Sequence, residues 1–289
     1  MLEWTNTVVQ GAMLGGLYAL FAAGLSLMFG VMRIVNIAHG DLIIVASYLA
    51  LVVVQALGVS PLTSLVIIVP LMFAAGYALQ RGLLNFTLGP DILPPLLVTF
   101  GLSVVIENVL LETFSADSRR LQSGMLDVAS LQIGGSLAVG WLAIVVFATA
   151  VAVIAALELL LYRTAIGRAF RATSDDAAIA RLYGVNNRHI YALATAITLA
   201  VASVAGVLLA IRSTFDPSMG PARLIYAFEA VIIGGLGSLW GTLAGGVILG
   251  VAQAIGMAFS PEWDLLGGHL VFLAVLLLRP RGLFPKMVD

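Results

Sequence analysis

The sequence predicts an all-α integral membrane protein with about nine (eight to ten) transmembrane or re-entrant helices. Three observations predict it. Of 289 residues, 61% are hydrophobic and 10% charged, against roughly 45–50% and about 25% in soluble chains. Mean hydropathy is +1.08. The apolar residues run on in long charge-free stretches, 4–32, 42–80, 128–157, 190–211 and 230–261, where lipid-facing strands would alternate over about ten residues.

A membrane helix needs about 20 residues, each rising about 1.5 Å through a core of roughly 30 Å. On that rule the apolar segments fall at 7–30, 37–57, 62–80, 93–113, 138–161, 189–211, 224–238, 241–259 and 266–279, in a single transmembrane domain spanning 1–289. Gly58, Ser60 and Pro61 divide the second from the third, and Gly234, Gly235, Gly237 and Gly241 divide the seventh from the eighth. With the N-terminus outside, Arg33, Arg81, Arg163, Arg168, Arg171, Arg181, Arg188, Arg279, Arg281 and Lys286 fall inside, and Arg119, Arg120, Arg212 and Arg223 outside. The positive-inside rule therefore predicts N-terminus out and C-terminus in. An eight-span variant with one re-entrant segment moves one terminus across. Trp4, Trp141, Trp240 and Trp263 lie at segment ends, as interfacial anchors do.

Composition also excludes chemistries. There is no cysteine, so disulfides, thiolate metal sites and thiol nucleophiles are out. The single lysine, Lys286, is not in a Gly-Lys-Ser/Thr phosphate loop, and no intramembrane Schiff base is available. A net charge of −1 gives no case for nucleic-acid binding. The acidic start Met-Leu-Glu-Trp lacks the positive region of a cleaved signal peptide, so the first segment is expected to stay. No Ser-His, paired-Asp or His-rich metal pattern appears, and His189 and His269 read as isolated.

Four features carry function. Gly11 and Gly15, Gly237, Gly241 and Gly245, and Gly246 and Gly250 are spaced by four, which suits close helix crossings, within one subunit or between subunits. Two segments are weak: 37–57 opens on Asn36, His39, Gly40 and Asp41, and 224–238 contains Glu229 and ends in Gly234, Gly235, Gly237 and Ser238. Each follows a long apolar helix, the first helix running inward and the other outward. Such matched breaks point to a transport path between inverted repeats. Intramembrane Glu107 and Glu229 read either as carboxyls that tie helices together or as a polar path lining. His39 reads as a capping or packing residue. The polar stretch 162–189 reads either as a solvated loop or as a compact helix capped by Thr173 or Ser174, with Asp175 and Asp176 in its first turn and Gly184 past its end. A helix of that kind suits docking into a groove on a soluble partner.

The motifs Gly16-Leu-Tyr-Ala-Leu, Gly24-Leu, Phe29-Gly-Val and Asn36-Ile-Ala-His-Gly resemble the front of the branched-chain amino acid ABC transporter permeases. Asp216-Pro, Ala227-Phe, Ile233-Gly-Gly-Leu-Gly-Ser, Gly241-Thr-Leu-Ala-Gly-Gly and Arg279-Pro-Arg-Gly-Leu-Phe resemble its back half, and Gly167-Arg-Ala through Leu182-Tyr-Gly-Val resembles its coupling loop. The length is similar to the shorter of the family's two paired permeases. The resemblance implies the all-helical importer fold shared distantly with ribose and vitamin B12 permeases, in a bacterial inner membrane. It implies a second homologous permease, two cytoplasmic ATPase subunits that bind ATP and Mg, and a periplasmic substrate-binding protein, with no cofactor in this chain. It assigns Arg168, Arg171, Asp175, Asp176, Arg181, Leu182 and Gly184 to the ATPase contact, and Asn36, His39, Gly40, Gly234, Gly235, Gly237 and Ser238 to helix breaks. Thr99, Gly101 and Ser103 would line the path. Relatives of the family also import urea, amides and small organic acids. The leading rival is a stand-alone secondary transporter or channel, which predicts paired intramembrane acids and bases.

Overall fold

A computed structural model describes residues 2–89, 91–133 and 137–284. Each of the nine apolar segments forms a helix. These are α1 (Leu2–Met32), α2 (His39–Leu57), α3 (Pro61–Gly82), α4 (Leu93–Phe114), α6 (Trp141–Arg163), α9 (Asn187–Arg212), α10 (Gly220–Gly234), α11 (Leu239–Phe259) and α12 (Trp263–Leu278). Seven are long and apolar enough to cross a membrane, and α10 and α12 are shorter. The chain is thus a multi-pass membrane protein. Between α4 and α6 lie the short helix α5 (Met125–Val128) and an antiparallel hairpin, β1 (Ser130–Ile133) with β2 (Leu137–Gly140), pairing Ser130 with Gly140. The hairpin was not expected, and the predicted segment 138–161 begins its helix only at Trp141. Lys286 lies outside the described residues.

Two connections fold back into the bundle. Nε2 of His39, the first residue of α2, is 2.8 Å from the carbonyl of Phe21, roughly 16 Å back along α1 from its end at 1.5 Å per residue. Residues 33–38 therefore return alongside α1 before α2 starts. Residues 213–219 return in the same way, and Gly220 at the start of α10 meets Gly40. Arg223, expected in an outer loop, instead stands in the first turn of α10, 6.0 Å from the Tyr226 ring. The predicted segment 224–238 is shifted back: α10 covers 220–234, because Gly235 (φ 106°) and Gly237 (φ 80°) cannot continue a helix.

The order long helix, turn-back, half-helix and return helix occurs in α1–α3 and again in α9–α11, each followed by a fourth helix, α4 and α12. The two sets interlock, α11 lying along α1 and α3 along α9, while α2 touches α9 and α10 touches α1. Gly246 and Gly250 of α11 pack on Gly15 and Gly11 of α1, so the two helices run antiparallel. A β-carbon on Gly15 would stand 2.5 Å from the Gly246 carbonyl oxygen; the every-fourth-residue stripe is a contact inside one subunit. The matched breaks anticipated from sequence thus sit in an inverted pair of repeats around one hydrophobic core.

One end of the bundle gathers the ends of α1, α3 and α6, the start of α9 and two further helices, α7 (Ala165–Asp175) and α8 (Ala177–Leu182). Ser174 Oγ donates to the Gly30 carbonyl, and Asn85 Nδ2 to that of Arg188. Arg33, Arg81, Arg163, Arg168, Arg171, Arg181 and Arg188 belong to this end. The opposite end carries residues 115–133 and 137–140, where Arg119 pairs with Phe215 and Arg120 Nε donates to the Ile211 carbonyl. All four tryptophans open helices and are half exposed.

Candidate functional site

The interior site forms where the two half-helices meet. Asn36 Oδ1 accepts from the Ala38 backbone and sets up the turn into α2. His39 is wholly buried, and its Nε2 is held by the Phe21 carbonyl. Gly40 and Gly220 touch backbone to backbone. Asp41 follows in the first turn of α2, where the helix N-terminus favours a carboxylate. Its Oδ2 accepts from Ser103 Oγ of α4 at 2.5 Å, while Oδ1 is buried against Gly220 with no hydrogen-bond partner.

Thr99 and Ser103 share the buried face of α4, and Thr99 Oγ1 donates to the Pro95 carbonyl. Glu107 stands one turn beyond Ser103, half buried. The other face of α4 is exposed and carries Gly101, Asn108 and Glu112 among apolar residues. Polar side chains at this depth face protein or water in membrane proteins, not hydrocarbon.

The second break has its own supports. Ser238 caps α11 by accepting from the Gly241 amide at 3.2 Å. The segment after α12 folds back over the end of α10: the Leu283 and Phe284 amides donate to the Ile233 and Gly234 carbonyls at 2.9 and 3.0 Å, and Gly282 lies on Gly235. Half a helix up, Glu229 bonds His269 Nδ1 of α12. Glu229 therefore has a partner, and neither His269 nor His189 is isolated, since His189 Nδ1 lies 2.9 Å from Tyr77 Oη. Sequence reasoning missed both pairs because the partners are 40 and 112 positions apart. Asp41, named from sequence only as part of the opening of the second segment, had a visible signal: it is the only charged residue between Arg33 and Arg81.

At the arginine-rich end the single expected docking helix is two. Thr164 caps α7, accepting from the Gly167 amide, and neither Thr173 nor Ser174 caps the helix that ends before Gly184. Thr173 is buried inside α7, and Asp175 is its last residue. Asp176 itself caps α8, with Oδ1 accepting from the Ala178 and Ile179 amides at 2.8 and 2.9 Å. Gly184 (φ 85°) stops the helix as anticipated. The α8 turn presents Leu182 (86% exposed), Tyr183 (85%) and Ile179 (53%). Arg168, Asp175, Asp176 and Arg181 are exposed around them, and Arg171 is half buried. An apolar centre with a polar rim is the common anatomy of protein interfaces. Among the described residues no cluster suited to a metal ion occurs.

Residues 7–278 match the family described as branched-chain amino acid transport system, permease component. The chain is 31% identical to the high-affinity branched-chain amino acid transport system permease protein BraD of Pseudomonas aeruginosa, over 98% of this chain and 96% of that one. It is 29% identical to the corresponding protein LivH of Escherichia coli, over 99% and 96%. It is also 32% identical to LivM of Escherichia coli, over 43% of this chain and 30% of that one. No solved structure matches. With folded-back connections, paired half-helices and a family match along almost its whole length, this chain belongs to the branched-chain amino acid transport permease family.

Proposed function

We propose that the chain is one of two permease subunits of an ATP-driven bacterial importer for branched-chain amino acids, working by alternating access in the inner membrane. Its N-terminus is periplasmic and its C-terminus cytoplasmic, so the arginine-rich end faces the cytoplasm. The second permease is homologous and packs so that the exposed, partly polar face of α4 borders the path. Thr99, Ser103 and Glu107 lie along that helix, and Glu229 on α10. Two cytoplasmic ATPases bind ATP and Mg and grip α8, and a periplasmic binding protein delivers substrate.

One observation carries the reading: the chain presents Ile179, Leu182 and Tyr183 on an arginine-rich end while holding no phosphate-binding loop of its own. Closure of the ATPases moves α7 and α8. Those helices bear on the end of α1 through Ser174 and Gly30, and α1 lies glycine-tight on α11. The push thus reaches both half-helices as a rigid-body shift. The test is uptake of labelled leucine by cells carrying the complete transporter. Uptake is expected to survive collapse of ion gradients and to stop when ATP hydrolysis is blocked. Gradient-driven uptake by the purified chain alone would overturn the assignment in favour of a secondary transporter.

A further inference from the structure

Where α3 ends against the start of α9, the chain carries positive charge that it does not itself neutralise. Tyr77 and Arg81 of α3 and Asn85 just beyond it follow at four-residue intervals, the spacing that sets helical side chains above one another on one side. Tyr77 Oη lies 2.9 Å from His189 Nδ1, and Asn85 Nδ2 donates to the Arg188 carbonyl at 3.2 Å. Arg81 stands between the two and so borders the same seam. Gln80 beside it is buried and accepts from Thr195 Oγ1 of α9 at 2.7 Å, whereas Arg81, Arg188 and His189 are exposed. Among the described residues no carboxylate lies within ion-pairing distance of either arginine. His189 adds a donor: with Nδ1 accepting from the Tyr77 hydroxyl, Nε2 carries the ring proton.

The wall beside these donors indicates what meets them. α3 is long and apolar enough to cross a membrane, and every exposed residue from Val66 to Ala78 is apolar. Hydrocarbon therefore reaches along this flank to within a turn of Arg81. Beyond Arg81, Leu83 and Phe86 are exposed as well, Phe86 by 77%. A cationic seam set into a lipid-facing apolar wall has the polarity of an anionic phospholipid, with the phosphate at the donors and an acyl chain along the helix. Asn187, next to Arg188, donates through Nδ2 to the Ala177 carbonyl and so ties the first turn of α8 to α9.

We propose that this seam binds one anionic phospholipid of the cytoplasmic leaflet, whose phosphate bridges Arg81 and Arg188 and thereby steadies the mount of α8. Guanidinium groups match phosphate oxygens with paired N–H donors, and His189 Nε2 supplies one more. Because α3 and α9 belong to opposite repeats, the bridge also joins the repeats at the end where the ATPases bear. Arg81, Arg188 and His189 lie outside the residues assigned to the ATPase contact. The choice of leaflet and the task of α8 rest on the importer reading above; the lipid site does not.

The test keeps the two apart. The permease, purified in mild detergent with its partner subunits, is analysed for retained lipid by native mass spectrometry. Phosphatidylglycerol is expected to be retained. Arg81→Gln and Arg188→Gln are each expected to weaken retention about fivefold, one arginine's share at an anionic membrane surface. Arg81→Lys combined with Arg188→Lys keeps the charge and is expected to recover most of it. In proteoliposomes supplied with the binding protein, ATP-driven leucine uptake is expected to rise several-fold when phosphatidylglycerol is mixed into phosphatidylcholine. The double Gln variant is expected to lose that rise while keeping its thermal midpoint, since both side chains are exposed. Equal retention in wild type and the double Gln variant overturns the site. Retention with uptake indifferent to phosphatidylglycerol overturns the role in coupling. A rise reproduced by inorganic phosphate in pure phosphatidylcholine makes the ligand a soluble anion and overturns the lipid. Loss of ATPase subunits from the double Gln variant in pure phosphatidylcholine makes the seam a protein contact and overturns the proposal. Retention that depends on both arginines, in a complex that never imports leucine, sinks the importer reading and leaves the site standing.

Discussion

A β-carbon on Gly220 would overlap Oδ1 of Asp41, far inside the 3.0 Å that real β-carbons keep, and one on Gly40 would run into the Gly220 carbonyl. Both obstacles are a backbone or a side chain already fixed by Ser103, so neither yields cheaply. Gly220→Ala and Gly40→Ala are each expected to cost about 1–3 kcal/mol by overpacking, seen as a lower thermal midpoint in detergent and loss of uptake. Ser103→Ala acts at the same point by removing the hydrogen bond to Asp41, whose other oxygen is already unpartnered. Leaving a buried carboxylate unsatisfied costs about 1–3 kcal/mol or more. Ser103→Thr, which keeps the hydroxyl, is expected to recover most of it. An unchanged midpoint in Ser103→Ala would show that this bond does not hold α4. The glycines were visible in the sequence as punctuation, and Asp41 as a costly charge. That Gly40 faces Gly220 was not visible, because nothing local joins residues on two separate half-helices.

Among the elements, α8 shows most directly how local chemistry sets a surface. It is one and a half turns long, shorter than helices that persist alone, and it holds through the Asp176 cap and the Gly184 stop. Leu182→Ala and Tyr183→Ala leave those supports intact. They are expected to weaken recovery of ATPase subunits in pull-downs by tenfold or more, as for central interface anchors, with the thermal midpoint of the permease unchanged. Equal recovery would remove α8 from the interface. The Gly184 stop and the charged ring could be read ahead from the sequence. The starting point could not, because Thr164, Thr173, Ser174 and Asp176 are all good capping residues. Burial of Thr173 inside α7 removes it from the choice, and burial is a tertiary property.

Across the whole molecule, the continuous apolar runs were enough to locate all nine apolar helices of the described residues to within a few residues, seven of them long enough to span, since a bilayer demands helices and length is simple arithmetic. The inverted repeat was legible only as two breaks in matching places; the interlocking of α11 with α1 and α3 with α9 needed coordinates, because small residues pack in many registers. The Glu229–His269 pair satisfies in part the acid–base pairing that a secondary transporter would need, and it joins α10 to α12. Orientation has a clean test, since the chain has no cysteine of its own. Asp117→Cys is expected to react with an impermeant maleimide in intact cells whose outer membrane is permeabilised. Tyr183→Cys is expected to react only after the inner membrane is opened. The reverse pattern would turn the protein upside down and end the proposed coupling to ATPases. The segment that returns over Ile233 and Gly234 bears on biosynthesis. Those carbonyls stay unsealed while the ribosome makes α11, α12 and everything up to Phe284. The translocon must therefore release a half-finished hairpin whose lock arrives last, and a premature stop after α12 would yield a chain that inserts fully yet never closes.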